Sequence, residues 1–184
     1  IATIWHWKKG QLKQLHSVWF PSSLGLFYSA ITHRVGLKPM EDEYILMGMA
    51  AYGDPVEGKR LSRQMGKDHF FFHHAWISNK QSLRGSGNLQ RGLKKTMYED
   101  YDDFTIAYAA QNQVEKRIMS YAEHARDVTG SENLVFMGGV ALNCVANSRL
   151  FDLGYKNVHI MPNPGDAGSS LGAAALHLYD TTGK

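Results

Sequence analysis

The segment Leu134-Val135-Phe136-Met137-Gly138-Gly139-Val140-Ala141-Leu142-Asn143 joins two kinds of pattern. Leu134 to Met137 is an apolar run of strand length, and a helical pattern starts directly after the paired glycines, over Ala141 to Leu153. Glycine lets a backbone turn tightly and lets a ligand approach without meeting a Cβ. The helix start that follows offers unpaired N–H groups and the positive end of a dipole, which suits phosphate. The segment is neither a P-loop nor a G-x-G-x-x-G fingerprint, and a plain strand-to-helix turn explains the local pattern equally well.

The same arrangement recurs downstream. Val158 to Met161 reads as a strand, Pro162-Asn163-Pro164-Gly165-Asp166-Ala167-Gly168 as a turn, and Ala167 to Tyr179 as a helix rich in small residues. Here the turn carries a carboxylate. Asp166 can cap the helix by accepting from the next turn's N–H groups, or hold a hard cation beside phosphates. Two strand–glycine–helix units in succession make a cleft lined with backbone donors at the carboxyl ends of the strands. The β-α-β-α series predicts an α/β fold, a mixed sheet with helices on its faces.

Upstream, Phe104, Ala107, Gln111, Val114, Ile118, Tyr121, Ala125 and Val128 step by three or four and predict one long helix from Asp103 to Val128, ended at Thr129-Gly130. Ile1 to Trp7, Lys8-Lys9-Gly10 and Gln11 to Phe20 read as a hairpin. Ser22 or Ser23 caps a helix running to about Val35. A second helix spans Glu41 to Ala51, where Gly48 implies close packing against a neighbour or ligand. Asp68 to Trp76 is aromatic and reads as a strand, and Asn79 to Lys95 as a mobile loop.

Composition bounds the function classes. The 184 residues suffice for one domain or one large lobe, with 43% apolar and 20% charged residues. The net charge of +3 is too small to imply nucleic acid, and the basic residues cluster only in Arg84 to Lys95. No apolar run reaches the roughly 18 residues of a membrane span. Cys144 is the sole cysteine, which makes a reducing, cytoplasmic setting the expectation. On its helix, with no activating base named by the sequence, it reads as a buried thiol. His69-Phe70-Phe71-Phe72-His73 has metal-like spacing, but on a strand the two imidazoles lie about 13 Å apart, too far for one ion. Ile1 to Trp7 reads as a strand from its first residue without an initiator Met, so the chain is expected to be a piece of a longer protein.

In Gly-Gly-Val-Ala-Leu-Asn (138–143) and Pro-Gly-Asp-Ala-Gly (164–168) the chain resembles the nodulation and antibiotic O-carbamoyltransferase family. Pro21 to Tyr28, Met47 to Gly53 and Asn143 to Leu150 resemble it too, in the same order. The resemblance is weakest from Val56 to Asp100. It implies an actin/Hsp70/sugar-kinase-like domain, of which residues 1–184 would be mainly the C-terminal lobe. The family's metal-binding His pair and another Asp would lie upstream, and a YrdC-like domain downstream.

The implied activity is ATP-dependent: a carbamoyl group passes from carbamoyl phosphate, via carbamoyl-adenylate, to an acceptor hydroxyl. The implied nucleotide contacts are Gly138, Gly139 and Asn143, with Val140, Gly165 and Gly168 beside them. Asp166 would ligate a divalent metal, commonly iron. The expected partners are carbamoyl phosphate and a hydroxylated small-molecule acceptor, with a homodimer as candidate assembly and neither nucleic acid nor membrane. Glu43, Tyr44, Met47 and Gly48 fit the family's Glu-Tyr-Lys-x-Met-Gly, but Ile45 stands where Lys is more usual. That missing charge favours the rival reading of a non-catalytic nucleotide-binding module; a sugar-kinase relative is a third.

Overall fold

The computed structural model describes residues 2–18, 23–69, 93 and 96–183. Strands β1 (Ala2–Lys8) and β2 (Gln11–Val18) form an antiparallel hairpin. Its turn residues Lys9 and Gly10 both take positive φ, 50° and 77°, as a tight turn matched to strand twist requires. Ser23 is the cap of helix α1 (Leu24–Arg34), its Oγ accepting from the Leu26 N–H at 3.4 Å.

The expected second helix is shorter: α2 covers Glu43–Met49 and gives way to a 3-10 turn, Ala50–Tyr52. Gly48 faces open space, so among the described residues no protein neighbour packs closely there. Close packing against a glycine falls instead on helix α3 (Pro55–His69), where a methyl at Gly58 would run into the Tyr108 ring. Helix α3 also corrects the strand expected from Asp68, because Asp68 and His69 form its last turn. The rest of that expected strand, and the loop expected from Asn79, lie outside the described residues apart from Leu93, which is buried.

Helix α4 (Asp103–Thr129) is the axis of the core. It packs against α1, α2, α3 and the 3-10 turn Arg149–Leu153. Ile106, Ala107, Ala110, Val114 and Ile118 join Phe27, Ile31, Leu46, Leu61, Met65 and Leu150 in one cluster. The ends of the expected face are corrected: Phe104 and Val128 are both exposed, because neighbours enclose only the middle of the helix. Asp102 caps its start, accepting from Phe104 and Thr105 N–H at 3.0 Å, and Gly130 ends it in the left-handed region.

Strands β3 (Asn133–Phe136) and β4 (Asn157–Ile160) pair in parallel, Asn133 opposite Asn157 and Phe136 opposite Ile160. The helix expected over Ala141 to Leu153 is broken into a 3-10 turn (Gly139–Leu142), a short α5 (Cys144–Ser148) and a second 3-10 turn (Arg149–Leu153). The non-helical backbone at Asn143, φ −76° and ψ 89°, interrupts the helix, and Ala141, Ala146 and Leu150 are all buried. Helix α6 (Ser169–Thr182) closes the described chain. The described residues thus form a mixed α/β structure with two separate two-stranded sheets rather than one mixed sheet. Among them, no helix is long and apolar enough to cross a membrane.

Candidate functional site

Both glycine turns lie at the carboxyl ends of the parallel pair β3 and β4, so pairing the strands brings the turns together. The Gly138 N–H donates to the Pro164 carbonyl at 2.7 Å. A Cβ placed on Gly165 would sit 3.9 Å from the Gly139 Cα. The two units read separately from the sequence are one surface feature.

The two paired glycines are not equivalent. Gly138 adopts φ 105° and ψ 164°, a region open essentially to glycine alone. Gly139 is not in the left-handed region, and a Cβ on it would meet nothing within 4 Å. Its lack of a side chain leaves open space beside the turn. Gly139 and Val140 begin a 3-10 turn, where N–H groups have no intrahelical acceptor. Asp166 and Ala167 begin another, Asp166–Gly168. Gly168 is required for packing, since a methyl there would strike the Asn163 carbonyl.

Asp166 is exposed. It makes no side-chain cap: the Ser169 hydroxyl donates to its backbone carbonyl, and its carboxylate has no hydrogen bond or ion pair among the described residues. A free carboxylate is a suitable donor for a hard cation. It is one donor only, because no group of three His, Cys, Asp or Glu side chains converges among the described residues. These residues alone therefore do not make a metal site.

Asn143 is buried, and its amide is engaged inside the protein. Its Oδ1 accepts from Ala146 N–H at 2.9 Å and from Gln111 Nε2 at 3.1 Å; its Nδ2 donates to Gln111 Oε1 at 2.9 Å. Tyr28 Oη donates to the same Gln111 oxygen at 2.8 Å, and Glu115 Oε1 accepts from Gln111 Nε2 at 3.0 Å. Sequence reading placed Gln111 on the inner face of α4 but gave it no role. A polar side chain in an apolar stripe was the signal.

Two other candidates resolve differently. Cys144 is exposed rather than buried, because Ala146 and Leu150 take the inward positions of that segment. His69 is buried in α3, its Nε2 2.8 Å from Tyr98 Oη, while Tyr98 donates to Asp68 Oδ2 at 3.1 Å. His73 and the basic cluster lie outside the described residues apart from Leu93. A shallow groove of about 330 Å³ runs along α4, lined by Asn112, Glu115, Lys116, Met119 and Arg149 among others, and is not formed by the glycine turns.

Comparison with known proteins bears on the two glycine turns and on most of the chain around them. Residues 1–175 match the family described as Carbamoyltransferase N-terminus. The chain is 35% identical to the uncharacterized protein sll1178 of Synechocystis, with 97% of the chain aligned. It is 32% identical to nodulation protein NolO of Bradyrhizobium diazoefficiens over 84% of the chain, and 31% identical to the uncharacterized protein MJ1051 of Methanocaldococcus jannaschii over 83%. The aligned part is 31%, 28% and 29% of those relatives, so the chain spans less than a third of each. With both turns and nearly all of its length inside the match, the chain belongs to the carbamoyltransferase N-terminus family.

Proposed function

We propose that the chain is the nucleotide-holding part of an ATP-dependent O-carbamoyltransferase and a lobe of an actin/Hsp70/sugar-kinase-like domain. The observation that carries this reading is the junction of the two glycine turns through Gly138 and Pro164. It gathers the free N–H groups at the starts of two 3-10 turns beside the open space at Gly139. Fixed backbone donors of this kind bind phosphate oxygens without having to reorganise. In this reading Gly139, Val140 and Gly165 line the phosphates, and Gly138 and Gly168 shape the turns.

Asp166 then has a defined part. A carboxylate beside a polyphosphate is repulsive unless a cation lies between them. Its exposed, unpartnered oxygens suit one ligand of a divalent metal, iron by family resemblance, whose other ligands come from outside the described residues. The carbamoyl group would come from carbamoyl phosphate through a carbamoyl-adenylate and end on a hydroxylated small-molecule acceptor. A cytoplasmic setting follows from that chemistry, because both ATP and carbamoyl phosphate are intracellular metabolites.

The test is an assay of the full-length protein with ATP, carbamoyl phosphate and a panel of hydroxylated acceptors. Carbamoylated product formed only when ATP is present supports the reading. ATP binding without any turnover of carbamoyl phosphate would favour the non-catalytic module, for which Ile45, exposed on α2 in place of the family's usual Lys, is the specific observation.

A further inference from the structure

The network around Gln111 uses every hydrogen-bonding position of that amide. A glutamine amide has two acceptor lone pairs and two donors. Gln111 Oε1 accepts from Tyr28 and Asn143, and its Nε2 donates to Glu115 and Asn143. Gln111 and Asn143 therefore form a reciprocal amide pair between residues far apart in sequence. Gln111, Tyr28 and Asn143 are all buried.

The orientation of each amide is forced in sequence. Burial pushes the Tyr28 phenol up, so it keeps its proton and presents a donor to Gln111. The Glu115 carboxylate can only accept. Those two partners fix which end of the Gln111 amide is oxygen. Gln111 in turn fixes Asn143, aiming its Oδ1 at the Ala146 N–H and so capping α5. The Asn143 backbone N–H donates to the Val140 carbonyl at 3.0 Å, closing the turn that begins at Gly139. The chain of constraint thus runs from α1 and α4 to the amides proposed to hold phosphate.

Stability alone does not ask for this arrangement. Burying the polar side-chain atoms of Gln111, Asn143 and Tyr28 costs desolvation, and apolar residues of the same shape can serve a core as well. What a fully satisfied polar network adds is a single orientation. Resting on the nucleotide reading above, we infer that the Gln111–Asn143 amide pair is a positioning device for the 139–142 turn, and that Gln111 and Tyr28 are positioning residues for a nucleotide they do not touch.

The experiment measures ATP binding to the full-length protein by calorimetry, together with melting temperature, for Gln111→Met, Tyr28→Phe, the double variant and Leu61→Ala. Gln111→Met keeps the length of the side chain but none of its hydrogen bonds. It should weaken ATP about tenfold, and Tyr28→Phe about threefold, since Glu115 still orients the amide. The double variant should bind no more weakly than Gln111→Met alone, because the residues act as one unit. Leu61→Ala, a core truncation on α3, should melt earlier yet bind ATP as the wild type does.

Wild-type protein that fails to bind ATP overturns the nucleotide reading and this inference with it. Wild-type binding that Gln111→Met leaves unchanged overturns the inference alone. So does a loss that Leu61→Ala reproduces at equal melting temperature, which would make the network ordinary core. Should Gln111→Met not fold, Tyr28→Phe decides: unchanged ATP affinity there overturns the inference.

Discussion

At the scale of the residue, Asp166 and His69 separate roles that sequence alone left open. The carboxylate of Asp166 caps nothing. Asp166→Asn should therefore leave the melting temperature of the metal-free full-length protein unchanged, while bound metal measured by emission spectroscopy falls well below that of wild type, since a neutral amide is a poor ligand for a hard cation. Retention of stoichiometric metal would remove Asp166 from the ligand set.

His69 yields a prediction about pH. With Tyr98 donating to Asp68, His69 donates through Nε2 to Tyr98, and its buried Nδ1 has no hydrogen-bond partner among the described residues. Burial lowers its pKa from 6.5. Below pH 6.5 the unfolded chain takes up a proton that the folded chain resists. Stability therefore falls with pH across the window from 6.5 down to the folded value, by at most about 1.4 kcal/mol per unit. His69→Leu should flatten that part of the profile in a series of thermal melts. An unchanged slope would assign it to other groups.

At the scale of the element, legibility depended on how much a helix's own sequence decides. The extent of helix α4 was legible because its apolar stripe and its Gly130 stop agree, while its Asp102 cap and the exposure of Phe104 and Val128 were not. Helix α3 was missed, although Asp54 caps it, Pro55 sits at its first position, and Gly58, Leu61, Met65 and His69 step by three or four inward. Two glycines and a polar composition masked that stripe, and the Phe run that follows drew Asp68 and His69 into a strand reading. The break within Ala141 to Leu153 was not legible either: it is imposed by Asn143, whose partner Gln111 comes from another element. Caps give the element-scale prediction. Asp102→Ala should destabilise the protein by about 0.5–2 kcal/mol in urea titration, because two N–H groups lose their acceptor. A loss below that range would mean that water replaces the carboxylate fully.

At the scale of the whole molecule, the pairing of β3 with β4 does most to create the candidate site. Each strand and glycine turn was legible alone, and their succession placed both turns at the carboxyl ends of the strands. The hydrogen bond from Gly138 to Pro164 was not legible, because register and turn shape set it. The single mixed sheet expected from alternation became two small sheets, and α6 contributes no buried residue, leaving Leu171, Leu176 and Leu178 exposed. Alternation fixes the order of elements but not how many strands join one sheet. Through all of this the glycine turns keep one geometry, with Gly138 shaping the backbone and Gly139 leaving space.

That division of labour makes Gly139 the most direct probe of the account. A Cβ at Gly139 meets nothing within 4 Å among the described residues, so Gly139→Val should fold and melt like the wild type. Its methyl groups would occupy the space proposed for phosphate beside the Gly139 and Val140 amides. Calorimetric titration of the full-length protein with ATP should show affinity reduced at least about tenfold in Gly139→Val at an unchanged melting temperature. Equal ATP affinity in the two proteins would contradict the claim that these turns cradle a nucleotide.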